Sequence, residues 1–85
     1  MKYNLVYTHR AFKDIREFEE NVKKRIGKAL ERYSENPLKY ASRLIDSKLG
    51  MYRFRIGHYR VIFDIEDEKI IVLRVGHRKD IYRKL

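Results

Sequence analysis

Apolar residues recur along this chain with different periods, and each period predicts an element. Residues 2–8, "KYNLVYT", are short and rich in β-formers, which predicts a first strand. Beyond Thr8 the period lengthens. Ala11, Phe12, Ile15, Phe18, Val22, Ile26, Ala29, Leu30 and Tyr33 fall mostly three or four apart and form one apolar helical stripe, with Thr8 placed to cap its start. The stripe is compatible with one long helix or two. "EEN" at 19–21 suits a break, since Asn21 can serve as a cap. Asn36-Pro37 stops the helical run, because the residue before proline disfavours the α region. Residues 38–50 keep no period and read as a connection ending at Gly50.

Period two then takes over. In "MYRFRI" (51–56), Tyr52, Phe54 and Ile56 share a face opposite Arg53 and Arg55. Gly57-His58 reads as a tight turn. In residues 59–65, Tyr59, Val61, Phe63 and Ile65 oppose Arg60, Ile62 and Asp64. "EDEK" is the next turn, and "IIVLRVG" (70–76) sets Ile71, Leu73 and Val75 against Ile70, Val72 and Arg74. The order predicts a single α+β domain over residues 1–85: an N-terminal strand, a two-helix hairpin and a three-stranded antiparallel meander, with the helices on one sheet face. The other face carries Arg53, Arg55, Arg60 and Arg74, with Arg78 just past its edge. Such a face must be solvated or occupied by anions.

Composition narrows the partners. Twenty-one Lys and Arg against twelve Asp and Glu give a net charge of +9 over 85 residues, a field that attracts polyanions. With no cysteine, disulfides and thiolate chemistry are excluded, and a cytoplasmic location fits. His9, His58 and His77 lack metal-ligand spacing, so neither a metal nor another cofactor is expected. No apolar run approaches a membrane span, and the start lacks the long apolar stretch of a secretory signal.

"LGMYRFRIGHYRVIFDI" followed by "VGHRKDIYR" resembles the RelE/ParE toxin superfamily, and within it the RelE-like ribosome-dependent messenger RNA endonucleases. The resemblance runs through the whole chain; its specific parts are "YRFRIGHYRVIF" and "GHRKDIYR", while the helical region is generic. It implies a fold like the microbial ribonucleases and a type II toxin that cuts mRNA in the ribosomal decoding site without a metal. It also implies a cognate antitoxin, with operator DNA met only through the toxin–antitoxin complex. In such cleavage the 2′-hydroxyl attacks phosphorus, charge builds on the phosphoryl oxygens, and a proton must reach the leaving 5′-oxygen. Fixed guanidinium groups stabilise that charge well. Arg60 matches the family's strand arginine for phosphate, Arg78 the arginine after the last strand, and Tyr82 the C-terminal tyrosine assigned to stacking or proton transfer. Some members carry a lysine base where this chain has Arg55, and arginine cannot be deprotonated at usable pH. That departure leaves His77 and Tyr82 as the titrating candidates, with His58 behind them.

The expected catalytic set is therefore Arg60, Arg78, Tyr82 and His77, with Arg53, Arg55, Arg74, Lys79 and Arg83 binding RNA. His77 falls on the Val75 side of its strand, so capping the strand end is an equal reading for it. The basic helical residues Lys13, Arg16, Lys23, Lys24, Arg25, Lys28 and Arg32 read as a solvated face, with contact to ribosomal RNA or a membrane surface as the alternative. Ile62, Ile70 and Val72 are expected among the arginines on the open face, where an antitoxin segment would cover them. Two rival functions remain within the resemblance: a ParE-like inhibitor of DNA gyrase without nuclease activity, against which Arg60, Arg78 and Tyr82 together argue, and an inactive member that binds antitoxin and operator.

Overall fold

A computed structural model describes residues 2–44 and 48–81. Strand β1 (Asn4–Tyr7) leads into helices α1 (His9–Arg16) and α2 (Glu20–Tyr33), a single turn α3 (Pro37–Tyr40), and strands β2 (Ser42–Arg43), β3 (Tyr52–Ile56), β4 (Tyr59–Glu66) and β5 (Lys69–His77). The sheet order is β1-β5-β4-β3-β2. Among the described strands β1 and β5 run parallel, and the pairs β5-β4, β4-β3 and β3-β2 are antiparallel. The α+β class, the helical pair and the β3–β5 meander follow the sequence expectation.

Three local differences have physical causes. The break between the helices falls at residues 17–19, earlier than Asn21, and the cap is Glu19. Asn21 lies inside the first turn of α2, where its side chain accepts from the Val22 N–H at 2.9 Å. Residues 37–43 supply α3 and β2: Pro37 sits where its fixed φ and missing N–H suit a helix start. β2 has two residues, too few for any alternation to show.

The third difference changes which side chains face the helices. Pairing of β4 with β5 runs Val61 to Val75 and Ile62 to Arg74, then jumps to Phe63 with Val72, leaving Leu73 as an extra residue. This β-bulge inverts the alternation of β5. Ile70 and Val72 therefore lie in the core with Val75, which overturns their expected place on the open face; Ile71 and Leu73 do not. The core joins Ala11, Ile26 and Leu30 from the helices to Phe54, Val61 and Phe63 from the sheet. Phe54 and Phe63 stack with centroids 4.1 Å apart, and Tyr33 packs on Phe54 at 5.0 Å.

The opposite face is only partly open. Ile62 is fully buried there, because Gly50 lies directly on it: an added Cβ would come within 2.9 Å of Ile62 and 2.8 Å of Leu73. The Met51 N–H holds this crossing in place by donating to Asp64 Oδ1 at 2.8 Å. The cover expected from a partner at Ile62 is thus provided by the chain itself.

Candidate functional site

The arginine-bearing end of the sheet is organised by the Gly57-His58 turn. Gly57 adopts φ 60°, the left-handed value that a two-residue hairpin needs and glycine reaches without strain. Immediately after it, Arg60 Nη1 donates to the carbonyls of Gly57 and Tyr59, each at 2.9 Å, which anchors the guanidinium beside the turn. On the neighbouring strand Gly76 stands opposite Arg60. Two residues on, the Arg78 N–H donates to the His58 carbonyl at 2.8 Å and ties the end of β5 to the same turn. The chain then folds back: Asp80 and Ile81 N–H groups both donate to the His77 carbonyl, and Ile81 is buried against Gly76. Arg78, Lys79 and Asp80 are left exposed on this turn.

Arg55 pairs across the strands with Arg60, and Arg53 pairs with Ile62. The structure therefore groups Arg60, Arg78, Arg55 and Lys79 around one corner, with Arg53 one step further along the face. Tyr82 and Arg83 lie outside the described residues.

Two expected members sit elsewhere. Arg74 turns to helix α1, where Nε donates to Asp14 Oδ2 at 2.8 Å and Nη2 to Oδ1 at 3.3 Å. The same carboxylate accepts the Val75 N–H at 3.0 Å, closing the strand edge beside the bulge. With side-chain exposures of 13% and 15%, this pair is largely withdrawn from solvent. Arg74 is thus engaged in the fold and removed from the open face.

His77 pairs with Tyr59, on the helix side of the sheet, and meets its ring edge-on at 5.6 Å. It also stacks on His58, with centroids 5.9 Å apart. Its Nδ1 accepts the Lys79 N–H at 3.1 Å. It lines a cleft of about 550 Å³ between α1 and β5, together with Phe18, Tyr59, Asp14 and Arg74. Arg60 lies across the sheet from that cleft. Asp14 and the stacking partner His58 were not legible as neighbours of these groups in the sequence. Arg25, which the sequence placed on the basic helical face, has its guanidinium against Gly57, a neighbour the sequence did not reveal.

Among the described residues, no three His, Cys, Asp or Glu side chains converge as a metal site. No described helix is long and apolar enough to cross a membrane. The corner can hold an anion between fixed cations and neutralise charge that develops on it.

Comparison with known proteins follows the same lines. Residues 5–82 match the family model described as the ParE toxin of the type II toxin–antitoxin system parDE. The chain is 35% identical over 74 residues to Toxin RelE3 of Methanocaldococcus jannaschii, spanning 82% of this chain and 84% of that toxin. It is 40% identical over 53 residues to Toxin RelG of Mycobacterium tuberculosis, which covers 60% of this chain and 61% of that one. Its fold is similar to the toxin in the RelBE2 toxin–antitoxin complex of Mycobacterium tuberculosis, with a TM-score of 0.82, 26% identity and coverage of 92% and 100% of the two chains.

Proposed function

The chain belongs to the RelE/ParE superfamily of type II toxin–antitoxin toxins, and we propose that it is a ribosome-dependent endoribonuclease that cuts messenger RNA in the decoding site. The observation that carries this reading is that Arg60, at the start of β4, and Arg78, just past the end of β5, are both tied by hydrogen bonds to the Gly57-His58 turn. A phosphodiester seated there would have a fixed cation on either side as charge accumulates on its non-bridging oxygens. The 2′-oxygen loses its proton and bonds to phosphorus, the bond from phosphorus to the 5′-oxygen breaks, and that oxygen takes up a proton. The products are a 2′,3′-cyclic phosphate and a 5′-hydroxyl. The guanidinium groups supply charge stabilisation that a metal would otherwise give, so the step is metal-independent in this reading.

Arg55 and Lys79 hold neighbouring phosphates, with Arg53 behind them. Tyr82 stands at the family's position for stacking on a base or passing a proton. The ribosome requirement comes from the family. A cognate antitoxin is the partner that restrains the activity, supported by a relative solved as a toxin–antitoxin complex. Operator DNA is met through that complex, and the setting is cytoplasmic.

The family model carries the ParE name, which favours gyrase inhibition as a second reading. Primer extension on translated mRNA, with and without ribosomes, separates the two when run beside a gyrase supercoiling assay. Cuts should cluster within codons on ribosomes and fade on naked RNA. Arg60→Ala and Arg78→Ala should each lower the rate by roughly two to three orders of magnitude. Intact transcripts alongside inhibited gyrase would overturn the nuclease reading.

A further inference from the structure

Arg25, Lys28 and Arg32 are spaced three and four residues apart, which places them on one face of α2. Across a groove of about 350 Å³ they face Arg55 and Gly57 of the sheet. All four cations are exposed, and no carboxylate lines the groove. Glu31, the acid next to Arg32 in sequence, is ion-paired instead with Lys2. Lys28 and Arg32 also border an adjoining depression that holds Glu31 and Glu35, while the groove itself gathers the four like charges with no acid in its lining.

Tyr33 lines the Arg32 end of the groove, and Tyr40 lies beside it, outside the lining. Tyr33 is held in the core against Phe54, and Tyr40 stacks on it with centroids 4.5 Å apart and planes inclined by 19°. Tyr40 remains 41% exposed. Arg32 lies 5.2 Å from the Tyr33 ring centre, and the Lys39 ammonium 5.7 Å from that of Tyr40. Basic side chains interleaved with a backed, accessible ring are what single-stranded nucleic acid requires: cations for phosphates and a flat surface for a base.

We infer that this groove is a second RNA subsite, in which Arg25, Lys28, Arg32 and Arg55 follow the backbone of a single strand and Tyr40 stacks on one of its bases. The inference rests on the RNA reading of the function and extends it beyond the scissile phosphate. Continuity is built into the sheet, since Arg55 is the cross-strand partner of Arg60 and the Gly57 carbonyl that Arg60 grips borders the groove. A strand leaving the cleavage corner can pass along Arg55 onto α2. An acidic segment without apolar or aromatic side chains would satisfy the cations and leave the tyrosine stack unused, whereas each nucleotide of a single strand brings both a phosphate and a base.

The test uses the full chain and a fluorescent single-stranded oligoribonucleotide with 2′-O-methyl ribose throughout, which cannot undergo attack by its own 2′-oxygen. Affinity is followed by anisotropy across a salt series, with circular dichroism confirming that each variant is folded. Lys28→Ala/Arg32→Ala should reduce the slope of log affinity against log salt by about 1.4, and Arg25→Gln separately by about 0.7. Tyr40→Leu should weaken binding roughly five- to a hundredfold with the slope unchanged, while Tyr40→Phe binds as the parent does. Slopes and affinities equal to the parent's in these variants would overturn the subsite. So would an unchanged RNA affinity accompanied by lost binding to a polyglutamate peptide, which would assign the groove to an acidic protein. Parent protein that binds the oligonucleotide as described but cleaves no transcript would end the nuclease reading and leave this subsite standing.

Discussion

At His77 the Lys79 N–H occupies Nδ1, so the neutral ring carries its proton on Nε2. In that tautomer the ring can donate a hydrogen bond, but it cannot take a proton at Nε2. Acting as an acid would require the imidazolium, whose Nδ1–H would displace Lys79. The ring also sits on the Tyr59 side of the sheet, away from Arg60. Of the two readings open from the sequence, this geometry favours the strand-end residue. His77→Ala should therefore lower the cleavage rate by no more than about tenfold, the scale of one hydrogen bond, and leave the shape of the pH–rate profile unchanged. A fall on the order of 10²-fold with loss of the inflection near neutrality would make His77 the acid after all. The position of Arg60 was legible because alternation along β4 is unbroken. That of Arg74 was not, because its direction depends on a carboxylate 60 residues earlier in the chain.

β5 is the element on which the local pattern misled. A single extra residue at Leu73 moves Ile70 and Val72 into the core, and periodicity within the strand carries no trace of it, since both registers are apolar. What holds the bulge comes from α1. The Thr8 hydroxyl caps the helix by accepting from the Ala11 N–H at 3.1 Å and bonds the Leu73 carbonyl at 3.3 Å. Asp14 takes both Arg74 and the Val75 N–H. Asp14→Ala would leave a largely buried guanidinium and a strand N–H without their acceptor, and should destabilise the protein by roughly 2–4 kcal/mol in urea unfolding. Asp14→Asn, which can still accept from Val75, should lose less. A loss below about 0.5 kcal/mol for the alanine variant would mean that the bulge holds without α1.

For the whole molecule, Tyr7 of β1, which shares a depression with Ile26 and Leu30 of α2, makes stability depend on alkali. Partial burial raises the Tyr7 phenol above its ordinary value of 10.0, and the Glu31 carboxylate adds to the shift, both weakened by solvent because the residue stays 41% exposed. The folded state thus keeps this proton at a pH where the unfolded chain has begun to release it. That contribution is complete below about pH 10 and is lost as pH rises through the folded value. Thermal unfolding followed above pH 9 should show Tyr7→Phe losing less stability with rising pH than the parent; parallel curves would refute it. At this scale the sequence by itself determined the α+β class, the helical pair, the meander, the cationic face and the superfamily, because each is written in local periodicity, in net charge or in motifs on adjacent strands. Tertiary structure alone decided the inverted half of β5, the withdrawal of Arg74, the cover over Ile62 and the groove joining α2 to Arg55. Each of these depends on residues far apart in the chain meeting through backbone hydrogen bonds and close packing, and no local pattern records such a meeting.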